Sequence, residues 1–191
     1  EGLGQGIKAA VLFTAGVREC GEPGRAMEKE IVEIARGRIR LMGPNCFGPY
    51  CPSGGITVFT GGLFSKESGP VALTAQSGQL SECIIARAQG EGIRYSKFAS
   101  YGNACDINEV NLLKYLMDDD DTKIITSYLE GVKDGRRYFE IARKNSSRKP
   151  LIIWKVGLTQ MGATASASHT GSLAGTGVSW DAFFRQTGAA K

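Results

Sequence analysis

The sequence predicts an α/β protein built on a doubly wound parallel sheet. Short apolar runs of strand length alternate with longer amphipathic segments, and glycine, at 26 of 191 residues, is about twice as frequent as usual. Strands that alternate with helices run parallel, and the helices cover both faces of their sheet. We predict strands at 71–75, 95–100, 123–129 and 151–155, and helices at 78–89, 107–117, 135–144 and 179–187.

A shorter β-α-β unit precedes this series. Residues 8–13 (KAAVLF) have the pattern of a buried strand, residues 23–35 that of a helix, and residues 39–42 that of a second strand. One such unit cannot close a sheet that has helices on both faces. We therefore expect residues 1–45 to be the back half of a Rossmann-like domain. Residues 46–191 would then form the main domain, with a loop over 48–69.

The composition excludes several classes of protein. The 23 Lys and Arg residues exceed the 19 Asp and Glu residues by only four, so nucleic acid and an anionic membrane are not expected partners. The apolar runs are too short to span a membrane. Five cysteines without a C-x-x-C pair and a single histidine give no metal-ligand spacing. We expect no metal site, and reduced thiols in a cytoplasmic setting.

Small polar residues follow the predicted strands, at the sheet edge where ligands bind in such folds. Ser77-Gly78 and Thr170-Gly171 each combine a hydroxyl with glycine at a predicted helix start. The free backbone amides and the helix dipole at such a start favour an anion. Each pair taken alone is more often an ordinary N-cap. Two such starts beside a histidine indicate a site for a phosphoryl group.

His169 is the only histidine, and it follows a run of small residues, Ala165 to Ser168. Small neighbours leave room for a group attached to the ring, and imidazole can accept a phosphoryl group as a nucleophile near neutral pH. A carboxylate on the other ring nitrogen would fix the tautomer. Glu130, at the end of a predicted strand, is the best placed candidate.

Two alternatives use the same residues. A hydrolase with Ser77, Glu130 and His169 has the expected chain order, but the segment AQSGQ at 75–79 lacks both glycines of the nucleophile elbow G-x-S-x-G. A flavodoxin-like flavin binder would need aromatic side chains beside the flavin ring, and the sequence offers no strong case for them.

An ordered set of motifs carries a family resemblance. The motifs are GPNCFG at 43–48, AQSG at 75–78, SYGN at 100–103 with Asp106, YLEG at 128–131, KP at 149–150 with KVG at 155–157, and SHTGSLAG at 168–175. In this order and spacing they resemble the CoA-binding and ligase regions of nucleoside-diphosphate-forming acyl-CoA synthetases. The ADP-forming acetate–CoA ligases, which are relatives of the succinyl-CoA synthetase alpha subunit, are the most similar members. The resemblance covers essentially the whole chain.

The resemblance implies a fold and a set of residue roles. Residues 46–191 would be the flavodoxin-like succinyl-CoA synthetase domain, and residues 1–45 the end of the CoA-binding domain. His169 would be the phosphorylated histidine and Glu130 its hydrogen-bonding acid. The implied phosphate-binding residues are Gln76, Ser77, Gly78, Thr170 and Gly171. The implied acyl- or CoA-binding residues are Thr14, Ala15, Gly16, Asn45, Cys46 and Asn103.

The implied reaction interconverts acyl-CoA, phosphate and ADP or GDP with a carboxylic acid, CoA and ATP or GTP. It would proceed through an acyl phosphate and then a phosphohistidine at His169. The nucleotide, with Mg²⁺, would bind to an ATP-grasp domain or subunit outside this chain. The family's N-terminal strand and glycine-rich turn are also absent, so the chain is expected to be part of a longer polypeptide and of an oligomer. The alternative is a non-catalytic CoA- or acyl-CoA-sensing module, as in ligase-like domains of lysine acetyltransferases, where the histidine is often lost.

Overall fold

The computed structural model describes residues 6–58, 64–145, 147–158 and 177–191. The chain begins with the expected β-α-β unit: strand β1 (Ala9–Val11), helix α1 (Glu22–Ala35) and strand β2 (Arg40–Met42). The two strands pair in parallel, with Ala9 opposite Arg40. Pro23 lies in the first turn of α1, where its missing N–H has no intrahelical partner to lose. The assignment of residues 1–45 to a separate domain stays a prediction.

The main sheet contains six strands in the part of the chain that the structure describes. They are β3 (Gly48–Cys51), β4 (Ile56–Thr57), β5 (Val71–Ala75), β6 (Tyr95–Ser100), β7 (Ile124–Leu129) and β8 (Leu151–Lys155), in the spatial order β4-β3-β6-β5-β7-β8. The four predicted strands, β5 to β8, pair in parallel, which confirms the predicted fold class. Across the sheet these four strands lie in the order β6-β5-β7-β8, so the second in the chain comes before the first. This order is flavodoxin-like and creates a topological switch point between β5 and β7.

One prediction for this region was wrong. Residues 48–69 were expected to be loop, but they contain the antiparallel hairpin β3–β4, with Tyr50 opposite Thr57. Strand β3 also pairs antiparallel with β6, with Gly48 opposite Ser100. The sheet is therefore mixed at this edge. The sequence pattern failed because both strands are short, because β3 contains Gly48 and Pro49, and because the partner of β3 in the main sheet, β6, is distant in the chain.

Within the described ranges, four helices follow strands of the main sheet: α2 (Gly78–Gly90), α3 (Glu109–Asp118), α4 (Gly135–Asn145) and α5 (Gly177–Thr187). Helix α2 packs on one face, where Ile85 meets Leu73 and Phe98. Helices α3, α4 and α5 pack on the other face around Ile125 and Ile153. No helix in the described ranges is long and apolar enough to cross a membrane. Two helical layers thus leave the carboxyl edge of the strands as the open end of the domain.

Candidate active site

The side chain of Gln76 joins the ends of β5 and β7 at the switch point. Its amide oxygen accepts hydrogen bonds from the backbone N–H groups of Glu130, at 2.5 Å, and Gly131, at 3.0 Å. Its own backbone N–H donates to the carbonyl oxygen of Tyr128 at 3.4 Å. Gln76 is buried, so these bonds are shielded from competing water. The start of α2 and the Glu130 segment are therefore fixed relative to each other.

Ser77 is the N-cap of α2. Its hydroxyl oxygen accepts a hydrogen bond from the backbone N–H of Leu80 at 3.3 Å. The first amides of a helix have no acceptor inside the helix, and the helix dipole makes them attractive to an anion. In the described part of the chain no carboxylate accepts a hydrogen bond from this hydroxyl, and His169 lies outside that part. Ser77 is thus a helix cap at a helix end that favours an anion, and its phosphate-binding role stays a prediction.

Gly78, the first residue of α2, lets the Phe47 ring lie against the helix start. A Cβ atom at this position would come within 2.8 Å of the ring. The Phe47 backbone N–H donates to the Ser100 hydroxyl at 3.0 Å, which attaches this segment to the end of β6. The role of Gly78 in the described structure is therefore to allow close packing at a half-buried helix start.

A cavity of about 210 Å³ opens at this edge of the sheet. Its wall includes Phe13 and six of the residues for which the sequence predicts binding roles: Asn45, Cys46, Gln76, Ser77, Gly78 and Asn103. These residues come from three loops that are far apart in the chain. The cavity joins the predicted acyl-binding turn to the predicted phosphate-binding helix start.

The other predicted residues divide into two groups. Thr14, Ala15 and Gly16 lie in the exposed loop after β1, outside the cavity wall. They remain next to it, because the Thr14 carbonyl oxygen accepts the Asn45 N–H at 3.1 Å. The proposed nucleophile His169 and its neighbours Thr170 and Gly171 lie outside the described residues.

The Asn45 turn rests directly on the loop that follows β6. Asn45 has a φ of +56°, in the left-handed region. The carbonyl oxygen of Pro44 accepts the N–H of Asn103 at 2.9 Å, and the carbonyl oxygen of Gly43 accepts the N–H of Cys105 at 2.9 Å. Gly102 makes this approach possible, since a Cβ atom there would lie 2.2 Å from the carbonyl oxygens of both Pro44 and Asn45.

Replacing Gly102 with alanine should lower the free energy of unfolding by about 2–4 kcal/mol, because the Cβ meets rigid backbone and φ is +51°. Urea denaturation measures the change. Gly90→Ala is the matched control. Gly90 ends α2, and a Cβ atom there would meet no described atom within 4 Å beyond its own helix, so alanine should leave stability unchanged or raise it by up to about 1 kcal/mol. Equal effects of the two substitutions would contradict the packing argument.

Asn103 is held by charged residues from the first β-α-β unit. Its side-chain N–H₂ donates to Glu19 at 2.8 Å and to Glu28 at 3.2 Å, and Arg18 forms an ion pair with Glu28. Within the described residues its side-chain oxygen is buried without a hydrogen-bond partner. That oxygen can accept an N–H group from a ligand. The sequence resemblance pointed to Asn103, but no sequence signal indicated its contacts with Glu19 and Glu28.

Cys46 is not a nucleophile in this environment. The side chain is 3% exposed, and burial raises the pKa of its thiol to about 11. At neutral pH the group is a neutral thiol whose sulfur lies 3.4 Å from the Leu12 carbonyl oxygen. The acyl-binding role of this turn, through its backbone, stays a prediction.

Glu130 ends the β7 segment as a buried carboxylate, 4% exposed. Its backbone is held on two sides, by Gln76 at the N–H and by Lys155 at the carbonyl oxygen, where the Lys155 ammonium donates at 2.9 Å. Lys155 is itself buried, which lowers the pKa of its ammonium group, and the nearby Glu130 charge opposes that shift. Lys155 belongs to the KVG motif, but its contact with Glu130 was missed, because residues at the ends of adjacent strands meet only in the folded sheet.

Comparison with known proteins identifies the fold family. The family model of the succinyl-CoA ligase-like flavodoxin domain matches residues 68–191, which is more than half of the chain. The chain belongs to this family. The matched segment begins just before β5 and includes Gln76, Glu130 and Lys155. The candidate site therefore lies largely within the succinyl-CoA ligase-like domain.

Longer proteins with this domain are similar to the chain over nearly its whole length. The alpha subunit of ADP-forming acetate–CoA ligase II from Pyrococcus furiosus is 42% identical over 185 residues, covering 96% of this chain and 40% of the relative. The ADP-forming 4-hydroxybutyrate–CoA ligase of Nitrosopumilus maritimus is 33% identical and is covered to 27%. The chain therefore spans well under half the length of these relatives.

A solved structure agrees in three dimensions. It is a dinucleotide-forming acetyl-coenzyme A synthetase 1 from Candidatus Korarchaeum cryptofilum, in complex with phosphate and ADP. The two structures superpose with a TM-score of 0.89 at 36% identity, over 98% of this chain and 40% of that chain. The succinyl-CoA ligase-like domain and the preceding β-α-β unit are thus arranged as in that protein.

Proposed function

We propose that this chain is the acyl-handling and phosphoryl-relay part of a nucleoside-diphosphate-forming acid–CoA ligase. The complete enzyme would interconvert acyl-CoA, phosphate and ADP or GDP with a carboxylic acid, CoA and ATP or GTP. His169 would carry the phosphoryl group, and Glu130 would hold its ring. The relatives of this chain named above are ADP-forming CoA ligases of acetate and of 4-hydroxybutyrate, which supports a small carboxylic acid as substrate.

The observation that carries the proposal is the Gln76 contact at the switch point. It fixes the N-terminus of α2, an anion-binding element, beside Glu130. The cavity continues from this helix start to Asn45 and Cys46. One cavity therefore offers a phosphate position and an acyl position next to each other. Transfer between phosphate and a thioester carbonyl requires this proximity.

The residues suggest an order of steps. A phosphate oxygen, held at the start of α2, attacks the thioester carbonyl carbon and forms a C–O bond. The C–S bond breaks, CoA leaves as a thiolate, and an acyl phosphate remains. A ring nitrogen of His169 then attacks phosphorus, the P–O bond to the acyl oxygen breaks, and the carboxylate leaves. Glu130 accepts the N–H of the other ring nitrogen and stabilises the positive charge that develops on the ring. Backbone amides and fixed charges suffice for this chemistry, because phosphoryl transfer depends mainly on positioning and electrostatics.

The remaining components lie outside this chain in the proposal. An ATP-grasp domain or subunit would bind ADP or GDP with Mg²⁺ and accept the phosphoryl group from His169. The similar Korarchaeum structure contains phosphate and ADP, in agreement with a nucleotide-binding part elsewhere in that longer protein. CoA would bind with its thiol end at the Asn45 turn. We place this enzyme in the cytoplasm, and we expect it to be an oligomer.

The decisive experiment is phosphate labelling of the intact protein. With radiolabelled phosphate and a panel of acyl-CoAs, the enzyme should form an acid-labile phosphoprotein, and mass spectrometry should locate the label at His169. Free CoA in place of acyl-CoA is the control and should give no label. Binding of acyl-CoA without any phosphoprotein would instead indicate the non-catalytic sensing module.

A further inference from the structure

Lys155 makes an unusual set of contacts at the candidate site. It is the last residue of β8 and is 5% exposed. Its ammonium group donates to the carbonyl oxygen of Glu130 at 2.9 Å and to that of Val156. The ring of Trp180, in α5, lies with its centroid 5.6 Å from the ammonium nitrogen. One buried cation therefore joins the carboxyl ends of β7 and β8 to α5.

The charge of this cation acts on Glu130. A buried ammonium group is unfavourable unless other groups compensate it. Among the described residues no carboxylate lies within ion-pair distance of Lys155, and Glu130 is the charged group that acts on it electrostatically. Among the described residues the phenols of Tyr101 and Tyr128 also interact with the Glu130 charge, and His169, which the proposed function places beside Glu130, lies outside these residues. Both phenols are neutral at physiological pH, so in the described structure Lys155 supplies the positive charge on this side.

We propose that Lys155 is a positioning residue for Glu130. Its bond to the Glu130 carbonyl fixes the end of β7, and its charge keeps the carboxylate ionised in a buried site that must also receive a phosphoryl dianion. Without that cation, two negative groups would adjoin each other in a medium of low dielectric constant. This inference rests on the proposed function, because it assigns to Lys155 an effect on the phosphorylation of His169.

Lys149 provides a control with a purely structural role. It precedes the opposite end of β8 and is also buried, at 9% exposure. Its ammonium group likewise donates to two carbonyl oxygens, that of Leu116 at 2.8 Å and that of Asp119. It lies at the amino end of the sheet, away from Glu130. A role limited to stabilising the fold would make substitutions of the two lysines equivalent.

The test measures the rate of His169 phosphorylation against pH in single turnovers of the intact enzyme. In Lys155→Met the positive charge near the Glu130 carboxylate is lost, so the carboxylate protonates at a higher pH. The acidic limb of the rate profile should therefore shift to higher pH by about 1–2 units. At a fixed pH on that limb the rate should fall about 10-fold or more. Lys149→Met should lower the melting temperature without moving the limb. A Lys155→Met profile that superimposes on that of the wild type would overturn the proposal.

Two further variants separate charge from folding and from the broader proposal. Lys155→Gln keeps hydrogen-bond donors but not the charge, so it should shift the limb in the same direction even if Lys155→Met does not fold. In a Glu130→Gln background, Lys155→Gln should have no further effect on the pH profile, since no carboxylate remains for it to influence. Absence of phosphohistidine in the wild type would refute the proposed function. A labelled wild type with unshifted Lys155 variants would refute only the positioning role.

Discussion

Replacing His169 with alanine should abolish nucleotide formation, with a loss of about 10⁴-fold or more, because the change removes the nucleophile that carries the phosphoryl group. This is the only imidazole in the chain, so no other histidine of this chain can take over. The half-reaction between acyl-CoA and phosphate uses the cavity at Asn45 and Ser77 and should persist. Coupled assays of ATP formation measure the first effect, and hydroxylamine trapping of acyl phosphate measures the second.

The control for this substitution is His169→Asn, which keeps a polar side chain but cannot accept the phosphoryl group. It should lose nucleotide formation to the same extent and retain hydroxamate formation. Full ligase turnover by either variant would remove His169 from the mechanism. Loss of both half-reactions would show instead that the segment is needed to form the cavity.

The sequence was sufficient to predict the parallel strands and their helices. Val71–Ala75 and Leu151–Lys155 were predicted without error, because buried parallel strands are short apolar runs bounded by polar residues and glycine. Helix boundaries were less exact: α3 begins at Glu109, two residues later than predicted. Asn108 explains the difference, since its side chain caps the helix by accepting the N–H groups of Val110 and Asn111.

The sequence was insufficient where contacts depend on the folded sheet. The hairpin β3–β4 exists because Gly48–Cys51 can pair with β6, a strand that begins more than forty residues later. The contact between Gln76 and Glu130 joins residues 54 positions apart. Both Gln76 and Lys155 lay in motifs that the sequence singled out, but only the packing of β5, β7 and β8 shows that they fix the Glu130 backbone from two sides.

These backbone contacts of Glu130 should persist in the variant Glu130→Gln. The Glu130 N–H is held by Gln76 and its carbonyl oxygen by Lys155, and neither bond uses the side-chain carboxylate. We therefore expect the variant to fold, with a free energy of unfolding about 1–3 kcal/mol lower than that of the wild type, because the buried Lys155 ammonium loses the negative charge near it. Phosphorylation of His169 should nevertheless slow by about 10²–10⁴-fold. An amide oxygen can still accept the ring N–H, but it does not stabilise the positive charge that develops on the ring.

Glu109→Gln is the matched control for this prediction. Glu109 is also buried, at 1% exposure, and burial raises the pKa of its carboxyl group. One of its oxygens accepts the Lys133 N–H at 2.6 Å, and the amide oxygen of glutamine can keep that bond. Single-turnover phosphorylation should therefore stay near the wild-type rate in Glu109→Gln. If Glu109→Gln and Glu130→Gln slowed the reaction equally, the loss would follow from removing any buried carboxylate near the sheet edge. An unchanged rate in Glu130→Gln alone would show that another acid orients the histidine.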